Sequence, residues 1–446
     1  LYEDGPDGKT LVPAIATSYT LSADKLTWTF HLRPGVKFSN GHPVTSADVK
    51  FSIEEANSPN SQWQFIDAAI ASVATPDPST VAITTKYPWS PLLADLALFG
   101  NGIVPANYGG ETKDAFYQHP VGTGPFQWNH WTKGQELELT RNPYYWKPGK
   151  PYLNSVTWAQ TPDDNTRILQ LKGGQVQVDE FPPYSAISSL QSAPGITMSL
   201  FPSSRTDYVA FNEQRKPFQD PHVRRAVADA IDQRAVINAV LFGHGQPANS
   251  FLTPALIGYD KSLSATPHDL AKAKAEMAQS TVPSGFSASL LVGSGDVNEN
   301  STAQILQSEL KPLGINLTIQ KLDSNAETQA IETFNYDVAF EYDTTDIIDP
   351  DELVQFAVGG EPGGNNSFRT HYNNPQINQL IAQAERTFDK GQRAQLYAQV
   401  QKLVQQDQPI VPLYYSPFPY AYSTKLHSFQ PYPTGNYHLE NMWLSH

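Results

Sequence analysis

The hydrophobic pattern of this 446-residue chain changes at a proline-rich segment, residues 142–151, which holds three prolines. Prolines at this density exclude a regular helix or a central strand, so we place a lobe boundary there. Before the segment, apolar and polar residues alternate over short stretches such as 28–32, which is the pattern of half-buried antiparallel strands. The length, about three times the ~150 residues of an average domain, also favours more than one lobe.

The sequence pattern of the second part of the chain predicts alternating strands and helices. Apolar stretches at 290–292, 315–319 and 336–340 are separated by helical patterns at 305–310 and 326–334. Connections of this kind join parallel strands of one sheet through right-handed crossovers. We therefore predict an α/β lobe in the second half of the chain.

Composition excludes several classes of function. The 44 acidic and 30 basic residues give a net charge of −14, and such a surface repels nucleic acid. No apolar run approaches the ~18 residues that span a bilayer. Without cysteine the chain has no disulfide or thiolate metal site, and its eleven histidines are scattered, so we assign no metal and no cofactor.

The sequence also lacks the common catalytic motifs, namely the nucleophile elbow, the P-loop, the zinc-protease helix and the dinucleotide fingerprint. We therefore predict that the protein is not an enzyme. The alternative is a hydrolase that works with two carboxylates, for which the clustered acids are Asp163, Asp343 and Asp346. Asp163 is also well placed to cap the following helix.

An acidic stretch, residues 342–352, directly follows the predicted strand 336–340. Loops at the carboxyl ends of strands in α/β sheets are where ligands bind. Three interpretations stay open: a solvated loop in which Asp349 before Pro350 starts a helix, a calcium loop, or carboxylates that face a cationic group. The spacing of the acids departs from the EF-hand pattern, which also requires a turn glycine.

Several segments, taken in order, resemble the extracellular solute-binding proteins of family 5, the peptide and nickel receptors of ABC importers. The signature-like block is 26–49, LTWTFHLRPGVKFSNGHPVTSADV. The other segments that carry the resemblance are 8–19, 122–126, 141–146, 211–218, 223–232 and 408–414.

The resemblance implies an α/β fold of the periplasmic-binding-protein type II kind, with two mixed α/β lobes joined by a hinge and an extra inserted β-rich subdomain. The implied lobes are Ia (1–35, 156–212 and 416–446), Ib (36–155) and II (213–415). The implied hinge residues are Phe211, Asn212, Tyr415 and Ser416. Relatives carry several tens of residues before the segment that matches Tyr2-Glu3-Asp4, including a first strand that touches the ligand, so we expect these residues to have been removed or to lie outside the given sequence. Residues 1–7 lack a signal-peptide pattern, so any export or lipid-bearing segment would already be gone.

The implied function is to bind a small solute, most simply a short peptide, between the lobes and to deliver it to the permease subunits of an ABC importer. Such a protein is expected to be a monomer outside the cytoplasm, either in the periplasm or as a cell-surface lipoprotein. Oligosaccharides, opine-like compounds and nickel chelates stay open as ligands of the same fold. Candidate platforms for a sugar are Trp63, Trp128, Trp131 and Trp158.

In peptide-binding relatives, an aspartate three residues before an acid-proline pair holds the amino terminus of the ligand. That position matches Asp346, with Asp349-Pro350 as the pair. The sequence departs from the family at Asp343, where tryptophan is common, and at Phe340, where some receptors have arginine. The other candidate ligand contacts are Asp343, Tyr342, Thr344, Thr345 and Trp128, with Arg205 and Arg369 as cations for a ligand carboxylate.

Overall fold

The computed structural model describes residues 1–359, 367 and 369–445. Its strands are β1 (Tyr2–Asp4), β2 (Leu11–Pro13), β3 (Ala16–Leu21), β4 (Thr27–Leu32), β5 (Ile70–Asp77), β6 (Thr80–Thr85), β7 (Phe126–Thr132), β8 (Glu136–Arg141), β9 (Ser155–Ala159), β10 (Val178–Glu180), β11 (Ile196–Phe201), β12 (Thr206–Phe211), β13 (Gln246–Pro247), β14 (Phe286–Gly293), β15 (Ile315–Leu322), β16 (Val338–Asp343), β17 (Ile410–Tyr415), β18 (Phe418–Ser423), β19 (Leu426–His427) and β20 (Trp443–Leu444). Its α-helices are α1 (Ser46–Ala56), α2 (Gln64–Asp67), α3 (Leu92–Asp95), α4 (Lys113–Phe116), α5 (Asp164–Lys172), α6 (Ile187–Gln191), α7 (Lys216–Gln219), α8 (Pro221–Ala230), α9 (Gln233–Val240), α10 (Leu270–Gln279), α11 (Val297–Leu310), α12 (Ser324–Glu332), α13 (Asp351–Ala357), α14 (Pro375–Glu385) and α15 (Lys390–Asp407).

The chain divides into two units. The first unit comprises Leu1–Phe201 and Pro419–His446, and the second comprises Pro202–Phe418. In the first unit, one sheet has the strand order β3-β4-β6-β5 and another the order β7-β8-β9, both antiparallel. This confirms the β-rich character expected of the opening third. The division of this unit into lobes Ia and Ib stays a prediction.

Local sequence signals explain two helix starts in the first unit. The main-chain N–H and the hydroxyl of Thr45 both donate to Asp48 Oδ2 at 2.8 Å, which caps α1. Asp163 caps α5, since its Oδ1 accepts from the N–H of Thr166 at 2.8 Å. Asp163 acts where the sequence analysis placed it, because capping depends only on neighbours within one turn.

The second unit is built on a mixed sheet with the strand order β13-β17-β12-β16-β14-β15. β14 pairs in parallel with β15 and with β16, while β12 runs antiparallel to β16 and β17. The carboxyl ends of β14, β15, β16 and β17 therefore lie at one edge, together with the start of β12. The βαβ arrangement predicted for this half of the chain is confirmed.

β12 is the central strand of this sheet, and all six of its residues are buried. A strand covered on both faces has a continuous apolar sequence, as residues 208–211 do. The sequence analysis placed this strand before the hinge, in lobe Ia. The structure places it inside the second unit, because its partners β16 and β17 come from far along the chain and leave no local signal.

The four predicted hinge residues also lie inside the second unit. Asn212 donates from Nδ2 to the carbonyls of Phe334 and Tyr336 at 2.9 and 2.8 Å. The Tyr415 hydroxyl accepts from the N–H of Ser250 at 3.1 Å, and the Ser416 hydroxyl donates to Asp207 at 3.1 Å. The chain passes between the two units after Phe201 and after Phe418, and the hinge role of the four residues stays a prediction.

Among the helices that the structure describes, none combines the length and the apolar character needed to span a bilayer.

Candidate functional site

The candidate site lies in the second unit, where β16 ends at the carboxyl edge of the sheet and α13 begins. We call residues 344–350, which connect these two elements, the acidic loop. Arg393 on α15 donates from both terminal nitrogens to the Asp349 carboxylate, one bond measuring 2.7 Å. The N–H of Asp351 donates to Asp349 at 2.9 Å, so Asp349 anchors the end of the loop at the start of α13.

Asp346 is half-buried at the middle of the acidic loop. Its main-chain N–H donates to Glu352 Oε2 at 2.8 Å. Its carboxylate makes no hydrogen bond or ion pair with any other residue in the described part of the chain, and burial raises its pKa. A partly desolvated carboxylate without a partner is a strong binding position for a cationic group.

Asp343, by contrast, is buried and has partners in the protein. The hydroxyl of Tyr208 donates to its Oδ2 at 2.8 Å, and Arg369 Nη2 lies 3.6 Å from its Oδ1. Arg369 also pairs with Glu341 at 2.7 Å. Burial raises the pKa of Asp343, and it raises the pKa of Glu341 to about 8 although Arg369 opposes the shift. The two predicted ligand contacts Asp343 and Arg369 are thus brought together in one internal network, and contact with a ligand stays a prediction for both.

Arg205 has a similar internal partner. Its Nε and Nη2 donate to the Asp207 carboxylate at 2.6 to 3.1 Å. Burial opposes the charge of Arg205, but Asp207 raises its pKa above the ordinary value. The guanidinium carbon lies 3.8 Å from the ring centre of Tyr342, whose side chain is 51% exposed. Arg205 therefore supports the exposed ring of Tyr342.

The predicted threonine contacts differ in their surroundings. Thr345 is fully buried, its hydroxyl lies 2.8 Å from Glu352 Oε2, and its N–H donates to Ser204 at 3.1 Å. Thr344 is half-buried beside it. Trp128 belongs to the first unit, on β7, where its ring packs edge-to-face against His119 at 4.5 Å.

Glu352 was not predicted from the sequence as part of the site, yet it accepts hydrogen bonds from three groups of the acidic loop. An acidic residue in the first turn of a helix is ordinarily explained by the helix dipole, so its pattern gave no sign of a second role. In the structure, the carboxylate of Glu352 is buried and bonded to the acidic loop rather than exposed to solvent.

The calcium interpretation of the acidic loop finds no support in the geometry. Within the described ranges, the one group of three histidine or acidic residues whose ligand atoms lie within 4.8 Å of one another is Glu3, His438 and Glu440 in the first unit. There Lys147 already pairs with Glu3 at 2.5 Å and with Glu440 at 2.9 Å. The two-carboxylate hydrolase is equally unsupported, because Asp163 is a helix cap and Asp343 is held by Tyr208.

The family model for bacterial extracellular solute-binding proteins, family 5 Middle, matches residues 10–365. The chain belongs to this family. It is 30% identical to the glutathione-binding protein GsiB of Escherichia coli K12 over 440 residues, covering 96% of this chain and 85% of that protein. It is 28% identical to di/tripeptide-binding protein 2 of Pseudomonas aeruginosa, covering 92% of this chain and 82% of that protein.

Solved structures of family 5 receptors have the same fold. The binding protein AgaA of A. tumefaciens R10, in complex with agropinic acid, is similar with a TM-score of 0.85 and 30% identity, covering 100% of this chain and 92% of that one. DppA of Helicobacter pylori, in complex with the peptide STSA, has a TM-score of 0.83 and 26% identity, covering 100% and 91%. The family 5 solute-binding protein therefore has the type II periplasmic-binding-protein fold that the sequence predicted.

Proposed function

We propose that this family 5 protein is the receptor of an ABC importer and that it binds a short peptide through the peptide's free amino terminus. The observation that carries the proposal is the Asp346 carboxylate, half-buried and without a cationic partner in the described part of the chain. The relatives named for glutathione and for di- and tripeptides support the same ligand class.

The physical basis is charge pairing in a partly desolvated place. An ammonium group loses hydration when it enters such a site, and only a charge-assisted hydrogen bond offsets that loss. Asp346 offers such a bond without first breaking one to another described residue. The bound ammonium would in turn lower the pKa of Asp346, reversing the effect of burial.

The remaining candidate contacts have supporting roles in this proposal. The ring of Tyr342, braced by Arg205, offers an exposed aromatic surface beside the acidic loop. Both candidate cations, Arg205 and Arg369, are already paired with carboxylates of the same unit. We therefore expect the carboxylate of the ligand to contribute less to affinity than its ammonium group.

A family 5 receptor works outside the cytoplasm, so we propose a periplasmic or lipid-anchored monomer that passes its ligand to permease subunits. Movement about the two chain crossings, after Phe201 and after Phe418, is proposed to accompany binding.

Mass spectrometry of the small molecules released on denaturing the purified protein tests the ligand class. Peptides with free amino termini are the expected product. A sugar, an opine or a metal chelate would keep the receptor role but would contradict peptide binding through Asp346.

A further inference from the structure

Three hydrogen-bond donors of the acidic loop converge on one carboxylate oxygen of Glu352. They are the Thr345 hydroxyl at 2.8 Å, the N–H of Asp346 at 2.8 Å and the N–H of Ile347 at 3.3 Å. The Glu352 side chain is only 4% exposed. No lysine or arginine of the described ranges pairs with it, and its partners are groups of Thr345, Asp346 and Ile347.

The acidic loop is held at its two ends, by Glu352 and by a contact of its own: the Thr345 hydroxyl also lies 2.8 Å from the carbonyl oxygen of Ile347. Thr345 is tied to Ser204, two residues before β12, and Asp349 is tied to α15 through Arg393. Between these two points, the N–H of Asp346 donates to Glu352, and the N–H of Ile347 is shared between Glu352 and the Thr345 hydroxyl, each at 3.3 Å. Since the backbone limits where a side chain can lie, the bond from the N–H of Asp346 to Glu352 constrains the position of the Asp346 carboxylate.

Glu352 also adds negative charge close to Asp346. Burial raises the pKa of Glu352 to about 7, and the charge of Asp346 adds to that shift. The charged groups on the neighbouring elements are already engaged with other partners: Asp343 with Arg369, Asp349 with Arg393, Asp351 with Tyr397 and Glu385 with Gln355. Among the described residues, Asp346 is the charged group that raises the pKa of Glu352.

We propose that Glu352 is a positioning residue for ammonium recognition: it holds the backbone that aims Asp346 and strengthens the field at the ligand's amino group without touching the ligand. The inference rests on the proposed function. In this proposal, the preference for a primary ammonium group comes from two carboxylates, Asp346 and Glu352, rather than from Asp346 alone.

The test is calorimetry between pH 5.5 and pH 8 with two probes, trialanine and reduced glutathione. In the wild type, affinity should rise as the pH increases through about 7, because Glu352 loses its proton there. Glu352→Gln keeps an acceptor oxygen but no charge, so it should bind roughly tenfold more weakly at pH 8, with the difference vanishing near pH 5.5. Glu352→Ala also loses the acceptor and should be weaker than Glu352→Gln at every pH.

Glu385→Gln is the matched control, because Glu385 is another buried glutamate of the same unit, with a pKa raised to about 8 by burial. Its hydrogen bond comes from Gln355 at 2.6 Å, and it should leave affinity unchanged. Asp346→Asn distinguishes the two proposals. Weak binding by Asp346→Asn together with wild-type binding by Glu352→Gln would overturn the role of Glu352 alone, whereas no dependence on Asp346 would overturn both.

A measurement on the wild-type protein covers the case in which the Glu352 variants do not fold. Carboxyl ¹³C resonances report the titration of Glu352 before and after addition of saturating trialanine. The pKa should fall on binding, because an ammonium at Asp346 favours the ionised form. An unchanged pKa would overturn the inference.

Discussion

The hydroxyl of Tyr208, on the central strand β12, donates to the carboxylate of Asp343, at the end of the neighbouring strand β16, over 2.8 Å. Both side chains are buried. This bond ties the start of the acidic loop to the middle of the sheet, and it keeps Asp343 turned into the protein.

Tyr208→Phe should therefore destabilise the second unit. A hydrogen bond to a charged group contributes about 1.5–3 kcal/mol, and its loss leaves a buried carboxylate with one partner fewer. Chemical denaturation measures the change. Tyr342→Phe is the control, because Tyr342 is exposed and should be nearly neutral; equal stabilities of the two variants would contradict the role of the bond.

Arg393→Met should loosen the end of the acidic loop. Arg393 and Asp349 form a largely buried ion pair, and removal of one partner from such a pair typically costs 3–5 kcal/mol. We expect lower stability and faster hydrogen exchange of the N–H of Asp351, which donates to Asp349. Exchange at the wild-type rate would show that the pair does not hold the loop.

Stability of the first unit should depend on Asp67. Asp67 is buried, its Oδ2 has no hydrogen-bond partner in the described structure, and burial raises its pKa to about 7. The Asp67 carboxyl binds its proton more tightly in the folded state than in the unfolded state. Ionisation of Asp67 therefore lowers the free energy of unfolding, by little near pH 4 and by more as the pH rises towards 7.

Asp67→Asn removes the loss of stability that ionisation of Asp67 causes. The variant should have a higher melting temperature than the wild type at pH 8, with a smaller difference at pH 5. Each unit of pKa shift corresponds to about 1.4 kcal/mol, so the effect is well within reach of calorimetry. A difference that stays constant between the two pH values would contradict the account.

The two ends of a peptide should contribute unequally to binding. Arg205 and Arg369 already have carboxylate partners, whereas Asp346 has no cationic partner in the described ranges. Amidation of the peptide's carboxyl terminus should weaken binding by less than about tenfold, and acetylation of its amino terminus by about 30-fold or more. The reverse order, measured by calorimetry, would assign recognition to an arginine instead.

Features that depend on neighbouring residues could be predicted from the sequence. The capping of α1 by Thr45 and of α5 by Asp163, and the helix start at Asp349, each involve contacts within one turn. The acidic loop was located because it follows directly on a strand of the parallel part of the sheet. The helix starts and the place of the acidic loop depend on residues that are close in sequence.

Features that depend on distant partners could not be predicted. β12 looks like a strand at a lobe border until its pairing with β16 and β17 is known. Asp343 and Arg369 were each assigned to a ligand, and only the fold shows that they pair with each other. Glu352 was missed because its three donors come from across a loop whose path the sequence does not specify.

The central claim is that Asp346 binds the ligand's ammonium group, and calorimetry of Asp346→Asn tests it most directly. The account predicts a loss of roughly 2–5 kcal/mol for a peptide with a free amino terminus, and no further loss when that terminus is acetylated. Asp389→Asn is the control, because Asp389 caps α15 in the same unit and asparagine caps equally well. Wild-type affinity in Asp346→Asn would contradict the account.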